Sequence, residues 1–591
     1  MQAPFQVLAA TAWLLSAFGL ANAVAPTRTF AFSSGVDAID AAYELALREM
    51  SGLSGARHGK GGHFLAGAGW PSLWTRDTSY AVELSAGLVF PKISEESLRK
   101  CGMRGVWMQD SCAHFGGWPY LSDAIVGARG AWSLYLVTGD VEFLRWAYGV
   151  TVKSLALAER DVFDEKSGLF KGCSSFMESN SGYPEKYRNK GRLVGQTKAL
   201  STNLLHHSGY VLGAKMGGIV GAEKSDIDHL RAKGRKLRDA IHTRLWNETR
   251  GNYAYFEDEN GHLVEQNEGL GLGLLLTDPE FAEDDDRIRR LFNTTHRTPR
   301  GLPCLWPQFK HKHLWGVFDL YHNGRIWPFV QGYWAVAAAS HNRVDVFEEE
   351  FRNLLLLSQS PDPTFAEFYE LDGTFPRDRR RQLWSDTGFL GMIYRGLFGM
   401  TFQPDGIAFN PVKPHGLFGD AVTLKNVPYR NMTLDISVRG SGAHVASFTL
   451  DNQPAVVSGE DAFIKSDLQG KHTISIVMKD PNVNVAQQHP EVAYLDGEDA
   501  LSILISNWLY FLMFVAIIPV LLFWGSWSML VLRKLNVCLE IEFRWGKTHK
   551  PRGSPPPRTS KKDQLSNSTT CDGIENGVNL RQRMAVSSTA E

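Results

Sequence analysis

Apolar residues recur at three- and four-residue spacings through most of the chain between Val36 and Met400, the period that one face of an α-helix imposes. The stretches "DAIDAAYELALREM", "DAIVGARGAWSLYLVTGD", "VEFLRWAYGVTVKSLALAERDVF", "STNLLHHSGYVLGAKMGG", "KSDIDHLRAKGRKLRDAIHTRLW", "WPFVQGYWAVAAAS", "VDVFEEEFRNLLLLSQ" and "QLWSDTGFLGMIYRGLFG" all carry it. Many stop at Gly or Gly-Asp, as helix ends do. Trp, Arg, Asp, Glu, His and Asn gather in the loops between them. This predicts a mainly α fold, a helical toroid over residues 36–400 whose loops build a site at one end. From Phe402 the pattern changes to alternation in "AVTLKNVPYRNMTLDISVRG" and "KHTISIVM", which predicts a small C-terminal antiparallel β-sandwich over residues 402–480.

Both ends of the chain depart from this rhythm. The opening "MQAPFQVLAATAWLLSAFGLANAVAP" is a short apolar run closing on Ala21 and Ala23, the form of a secretory signal peptide over residues 1–23. Residues 501–532 carry no charge and contain Pro519; the run exceeds the roughly 20 residues that a spanning helix needs. Asp496, Glu498 and Asp499 precede it, while Arg533, Lys534, Arg544, Lys547, Lys550 and Arg552 follow. The positive-inside rule then makes the chain a single-pass type I membrane protein of the secretory pathway or cell surface, its bulk lumenal or extracellular. A stalk over residues 481–500 leads to the membrane, and the Pro-rich polar segment 533–591 is a disordered cytosolic tail whose partner the sequence does not name. Sequons at Asn247, Asn293 and Asn431 lie on the lumenal side, with a further one at Asn567 in the tail. Cys101, Cys112, Cys173 and Cys304 are also on the lumenal side, enough for two disulfides, with thiols as the alternative.

Charge adds one exclusion. Lys and Arg total 62 against 63 Asp and Glu, so no global bias favours a nucleic acid partner. No metal-ligand spacing or glycine-rich nucleotide fingerprint stands out, and neither metal nor cofactor is expected. The 17 tryptophans suit a carbohydrate-handling cleft, because sugars present C–H faces to flat rings; a membrane anchor and a carbohydrate substrate are therefore the expected partners.

Hydrolysis of a glycoside by the usual route needs two carboxyl groups across the sugar ring. One candidate loop is "PDPTFAEFYELDGTFPRDRRRQLWSDTGFLG", which offers Glu367 with Glu370 as its near competitor. The other, "GLFKGCSSFMESNSGYPEKY", offers Glu178 with Glu185 as the alternative. In "GWPSLWTRDTSYAVEL", Trp74, Arg76 and Asp77 stand where an apolar helix begins; a helix cap accounts for the aspartate alone, and the cluster reads better as ligand-facing. "GWPYLSDAIVGARGAW" adds Trp118 and Asp123, with a helix cap as the competing role of the aspartate.

These segments resemble those of glucoamylases and related six-hairpin glycosidases. Glu367, the following Asp-Gly and then Trp384-Ser385 opening a helix are similar to the segment holding the catalytic base of that family. "LWTRD" resembles the Trp-Thr-Arg-Asp whose Arg-Asp pair grips the innermost sugar. "LYHNGRIWPF" is similar to the segment of glycogen-debranching glucosidases that lines the sugar-binding end, here Tyr321, His322, Asn323, Gly324, Trp327 and Pro328. In the processing-glucosidase branch the general acid is most often an aspartate where Glu178 stands; the glutamate matches glucoamylases instead. The resemblance implies an (α/α)6 barrel with Glu178 as acid and Glu367 as base, and Trp74, Arg76, Asp77, Trp118, Asp123, His322, Asn323, Trp327 and Trp384 around the sugar. It implies inversion at the anomeric carbon and release of a terminal α-linked glucose, with mannose second. Two rivals accompany it. A phosphorylase would need a basic phosphate pocket, for which Arg325, Arg377, Arg379, Arg380 and Arg381 are available; a non-catalytic carbohydrate receptor would bind sugar without turnover.

Overall fold

The computed structural model describes residues 30–54, 62–109, 122–177, 180–188, 190–310, 321–359, 362–455 and 462–479. The expected signal peptide, stalk, membrane span and tail lie outside these residues, as do Cys112, Trp118, Glu178 and Asn567. Among the described residues no helix is long and apolar enough to cross a membrane.

Two kinds of helix alternate. Those of the first kind bury one face: α1 (Asp37–Leu53) covers Ile39, Tyr43, Ala46, Leu47 and Met50, and α3 (Pro91–Cys101), α5 (Val141–Val162), α7 (Lys224–Leu245), α9 (Asp285–Thr294) and α11 (Val344–Ser358) follow the same pattern. Their entries are fixed locally where a cap is available. Asp140 accepts from the Phe143 amide at 2.9 Å ahead of α5, and Asp284 from that of Arg287 at 3.0 Å ahead of α9.

Helices of the second kind are buried nearly all round, with polar as well as apolar side chains enclosed. They are α2 (Thr75–Ala81, continuing as a π-helical turn over Val82–Ala86), α4 (Asp123–Thr138), α6 (Leu200–Val220), α8 (Gly269–Leu276), α10 (Pro328–Ser340) and α12 (Leu383–Gly391, continuing as a π-helical stretch over Met392–Leu397). Each packs on the next, and α12 closes on α2. The result is an inner ring of helices inside an outer one, the (α/α)6 toroid. The approach of α10 to α12 requires glycine: a Cβ on Gly332 would stand 2.7 Å from the Gly388 Cα.

Inside the ring, Arg129 grips the carboxylate of Glu83 with Nε at 2.8 Å and a second nitrogen at 2.5 Å. Tyr333 donates to the same carboxylate at 2.8 Å, and Arg129 reaches Ser208 at 2.9 Å. Both side chains are mostly withdrawn from water and their opposite charges meet through direct hydrogen bonds, the condition under which an interior tolerates charge, and Arg395 stands 4.0 Å from the same carboxylate.

The connections are asymmetric. Where the inner helices end, links such as Gly139–Asp140 and Gly221–Glu223 are short; where they begin, long segments precede Thr75, Asp123, Leu200, Pro328 and Leu383. The long loops therefore gather at one mouth.

The C-terminal unit corrects the sequence expectation in two respects. Its larger sheet runs β1-β4-β5-β9-β6-β7, from β1 (Ala31–Ser33), β4 (Ala421–Tyr429), β5 (Met432–Arg439), β6 (His444–Leu450), β7 (Gln453–Pro454) and β9 (Gly470–Lys479). The first strand thus comes from ahead of the toroid, pairing Ala31–Ser33 with Thr423–Lys425 and covering an edge that would otherwise be open. β5 and β9 pair in parallel, so the sheet is mixed and not purely antiparallel. A three-stranded sheet of β2 (Met400–Gln403), β3 (Gly406–Phe409) and β8 (Ala462–Lys465) completes the unit. Val422, Leu424, Leu434, Ile436, Ile474 and Ile476 are buried at alternate positions, as the sequence pattern predicts.

Cys304 is a buried thiol donating to the His322 carbonyl. With Cys304 unpaired, two disulfides among Cys101, Cys112, Cys173 and Cys304 are not formed.

Candidate active site

Glu367 sits in the long segment before α12, only 2% exposed. Its Oε1 accepts from the Trp70 indole at 3.0 Å and from the Tyr321 hydroxyl, and its Oε2 from Arg379 at 3.3 Å. Burial raises its pKa, while Tyr321, Arg379 and Trp70 stabilise the charged form and oppose the rise. A buried carboxylate whose charged form is supported by three oriented donors is a setting that suits a general base.

The backbone explains how distant residues reach it. Glu367 donates its amide to the Arg379 carbonyl at 2.7 Å, and Gln382 to that of Phe365 at 3.0 Å, so 365–367 and 379–382 form a clasp. The Trp70 loop is tied to the same clasp: Ala68 donates to Arg381 at 3.0 Å and Leu383 to Ala66 at 2.8 Å. Arg379 also lies over the Trp70 ring at 4.8 Å. Glu370, the competitor, is half-buried and paired with Arg325, in a turn closed by its own amide on Thr374.

An aromatic floor adjoins the carboxylate. Trp384 stacks on Phe329 at 4.3 Å, Trp327 stacks on His322 at 5.1 Å, and the two indoles meet edge to face at 5.7 Å. Tyr321 touches Trp327 at 5.2 Å, which links floor to base. The indole N–H groups of Trp74, Trp327 and Trp384 are buried and have no acceptor among the described residues.

Arg76 and Asp77 are buried at the entry of α2, which starts at Thr75 with Trp74 in the cap position, so Asp77 is not the cap. Arg76 donates to the Ser175 carbonyl at 2.7 Å, and Gln382 donates to Asp77 at 2.9 Å. The pair thus connects the two loops that carry the candidate carboxylates. Ser174 and Ser175 are held from every side: by Glu268, Ser122 and Tyr80 through their hydroxyls, and by Tyr183 and Ser201 through their amides. Glu268 is fully buried, which raises its pKa to about 7.

Other expected positions fall differently. Asn323 has its amide engaged at both ends by Phe309, with oxygen and nitrogen each 2.8 Å from the backbone, which anchors the segment. His322 is buried and takes the Ser181 hydroxyl through its own amide at 2.9 Å. Asp123 opens α4 immediately after Ser122. Glu185 is partly exposed and pairs with Arg188 at 3.3 Å. Among the described residues no cluster of His, Cys, Asp and Glu could hold a metal ion.

Sequence reasoning did not assign Arg379 to the base, nor find Gln382, Ser175 or Glu268. Arg379 stands in a run of arginines with no mark to single it out, and the others are common residues given a role only by what packs against them.

The chain is thus a closed (α/α)6 toroid with a buried, donor-ringed glutamate beside an aromatic floor at its loop-bearing mouth. Residues 200–385 match the family described as mannosylglycerate hydrolase MGH1-like glycoside hydrolase domain. No curated protein sequence matches. Among solved structures, a sialidase shares 15% identity over 78% of this chain and 43% of its own, with a TM-score of 0.56. A GH78 family rhamnosidase from a Bacillus species shares 12% over 76% and 44%, with a TM-score of 0.48. The GH63 mannosylglycerate hydrolase from Thermus thermophilus shares 15% over 60% and 99%, with a TM-score of 0.45. The chain spans less than half the length of the first two, and the likeness to the sialidase is one of fold.

Proposed function

We propose that this protein is a membrane-anchored, inverting glycosidase of the secretory pathway that removes a terminal α-linked glucose, or second a mannose, from an oligosaccharide or glycan. The observation that carries the reading is the setting of Glu367: buried, beside stacked indoles, and ringed by donors that favour its ionised form. In this scheme Glu367 takes a proton from water as its oxygen bonds to the anomeric carbon. The glycosidic C–O bond breaks on the other side, and Glu178 gives its proton to the departing oxygen. Trp74, Trp327, Trp384, Arg76 and Asp77 surround the sugar, with Trp118, Asp123 and His322 as further candidates. The anchor rests on the uncharged run 501–532 and its flanking charges.

The phosphorylase alternative loses support, because Arg325, Arg379 and Arg380 are paired with Glu370, Glu367 and Asp362. The deciding experiment incubates the full chain in detergent with α-glucosides, α-mannosides and mannosylglycerate, following the released anomer by NMR with and without phosphate. Release of the inverted sugar independent of phosphate is expected. A retained anomer refutes inversion, phosphate dependence favours the phosphorylase, and sugar binding without turnover favours a receptor.

A further inference from the structure

Behind the clasp that holds Glu367 lie two more carboxyl groups that the reaction does not use. Asp386, one turn into α12, is 0% exposed, and neither of its oxygens meets a donor among the described residues. Burial pushes its pKa well up, and the carboxylate of Glu49 on α1 adds to the rise. Both oxygens of Glu49 already accept: Oε1 from the Thr364 hydroxyl at 2.8 Å and Oε2 from the Phe365 amide at 3.0 Å. An ionised Asp386 would be a charge out of water, unpaired and facing a second carboxylate, an arrangement proteins avoid by keeping a proton. The one hydrogen that can satisfy both groups is an acid proton on Asp386, directed at Glu49.

We propose that Asp386 is a neutral carboxylic acid donating its proton to Glu49, and that this shared proton is a positioning device for Glu367. Glu49 holds Thr364 and Phe365, two residues before Glu367, and Thr364 in turn receives the Arg381 amide at 3.2 Å. The acid of Asp386 keeps Glu49 an acceptor, and so fastens the clasp to both α1 and α12. The other groups facing the pair are the Arg381 guanidinium, 3.9 Å from Glu49 and largely exposed, and the Tyr369 phenol, which donates to the Thr364 carbonyl at 2.8 Å. Arg381 balances the single negative charge that remains.

The positioning role rests on Glu367 as base; the proton itself does not. A carboxyl that keeps its proton in the folded chain but releases it when unfolded destabilises the fold as pH rises above the ordinary aspartate range, up to its raised folded value. The experiment compares denaturant unfolding of the full chain in detergent, wild type against Asp386→Asn, from about pH 5 to about pH 7. The ratio of their unfolding constants should rise about tenfold per pH unit, because the asparagine donates without titrating. A flat ratio overturns the proposal. Should Asp386→Asn fail to fold, Asp386→Leu, which removes the titrating group, should show the same rise relative to wild type, and a flat ratio there overturns the proposal equally. For positioning, Asp386→Asn should keep kcat within about threefold while Asp386→Ala loses at least about tenfold, the scale of a lost buried hydrogen bond. Equal losses in a folded chain overturn the role. A chain without glycosidase activity leaves the unfolding result standing and counts only against the proposed function.

Discussion

The indole nitrogen of Trp70 lies 3.0 Å from Oε1 of Glu367, although 297 positions separate the two residues. One comes from the loop ahead of the first inner helix and the other from the loop ahead of the last. Their meeting shows that ring closure, α12 against α2, is what assembles the setting of Glu367.

Glu367→Gln keeps an acceptor for Trp70 and Tyr321 but cannot take a proton. Hydrolysis should fall by roughly 10²- to 10⁴-fold, the usual worth of general base catalysis, while calorimetry shows sugar still bound. A parallel loss with Glu370→Gln alone would move the base to Glu370.

The acid limb of the kcat/KM profile should lie above the ordinary glutamate range, since burial raises the pKa of Glu367 and the base works only when ionised. Tyr321 and Arg379 each favour the charged form. Tyr321→Phe and Arg379→Gln should therefore each move that limb to higher pH, read from initial rates on one substrate across pH. A shift downward would contradict the assignment.

Arg76→Lys retains the charge but not the planar fork that reaches the Ser175 carbonyl. A loss of roughly tenfold or more in kcat is expected, the scale of a hydrogen bond from a charged group, with circular dichroism unchanged. Normal turnover would remove this residue from the loop-holding role.

Arg129→Met would leave Glu83 buried without its cation. The cost should be about 3–5 kcal/mol in denaturant unfolding, and the double variant Glu83→Gln/Arg129→Met should recover much of it. Equal stability of the single and double variants would argue against the pairing as the cause.

If the chain is oriented as proposed, Asn247, Asn293 and Asn431 carry glycan and Asn567 does not. Glycosidase-induced shifts of single Asn→Gln variants on gels report each site. Glycan at Asn567 would reverse the topology.

Helix existence, the switch to strands near Phe402 and the position of the base loop were legible in the sequence, because burial periodicity and loop composition are local properties. Glu367 stood out as an acidic residue among aromatics, and Trp384-Ser385 marked the helix that follows. The edge strand Ala31–Ser33 and the parallel β5–β9 pair were not legible, since strand partners are chosen by which edges the fold leaves open. Nor did any local signal separate Arg379, which holds the base, from Arg380, which pairs with Asp362. The same limit hid Asn323, whose amide is closed off by Phe309, and Asp386, whose proton becomes necessary only when α1 and α12 bring it against Glu49. Sequence by itself determined most of the helices and strands and which loops gather aromatic and charged residues, through forces acting over a few residues. Tertiary structure alone decided which charges meet and which donors find acceptors, because those energies depend on burial and distance, and both are set only when the ring closes.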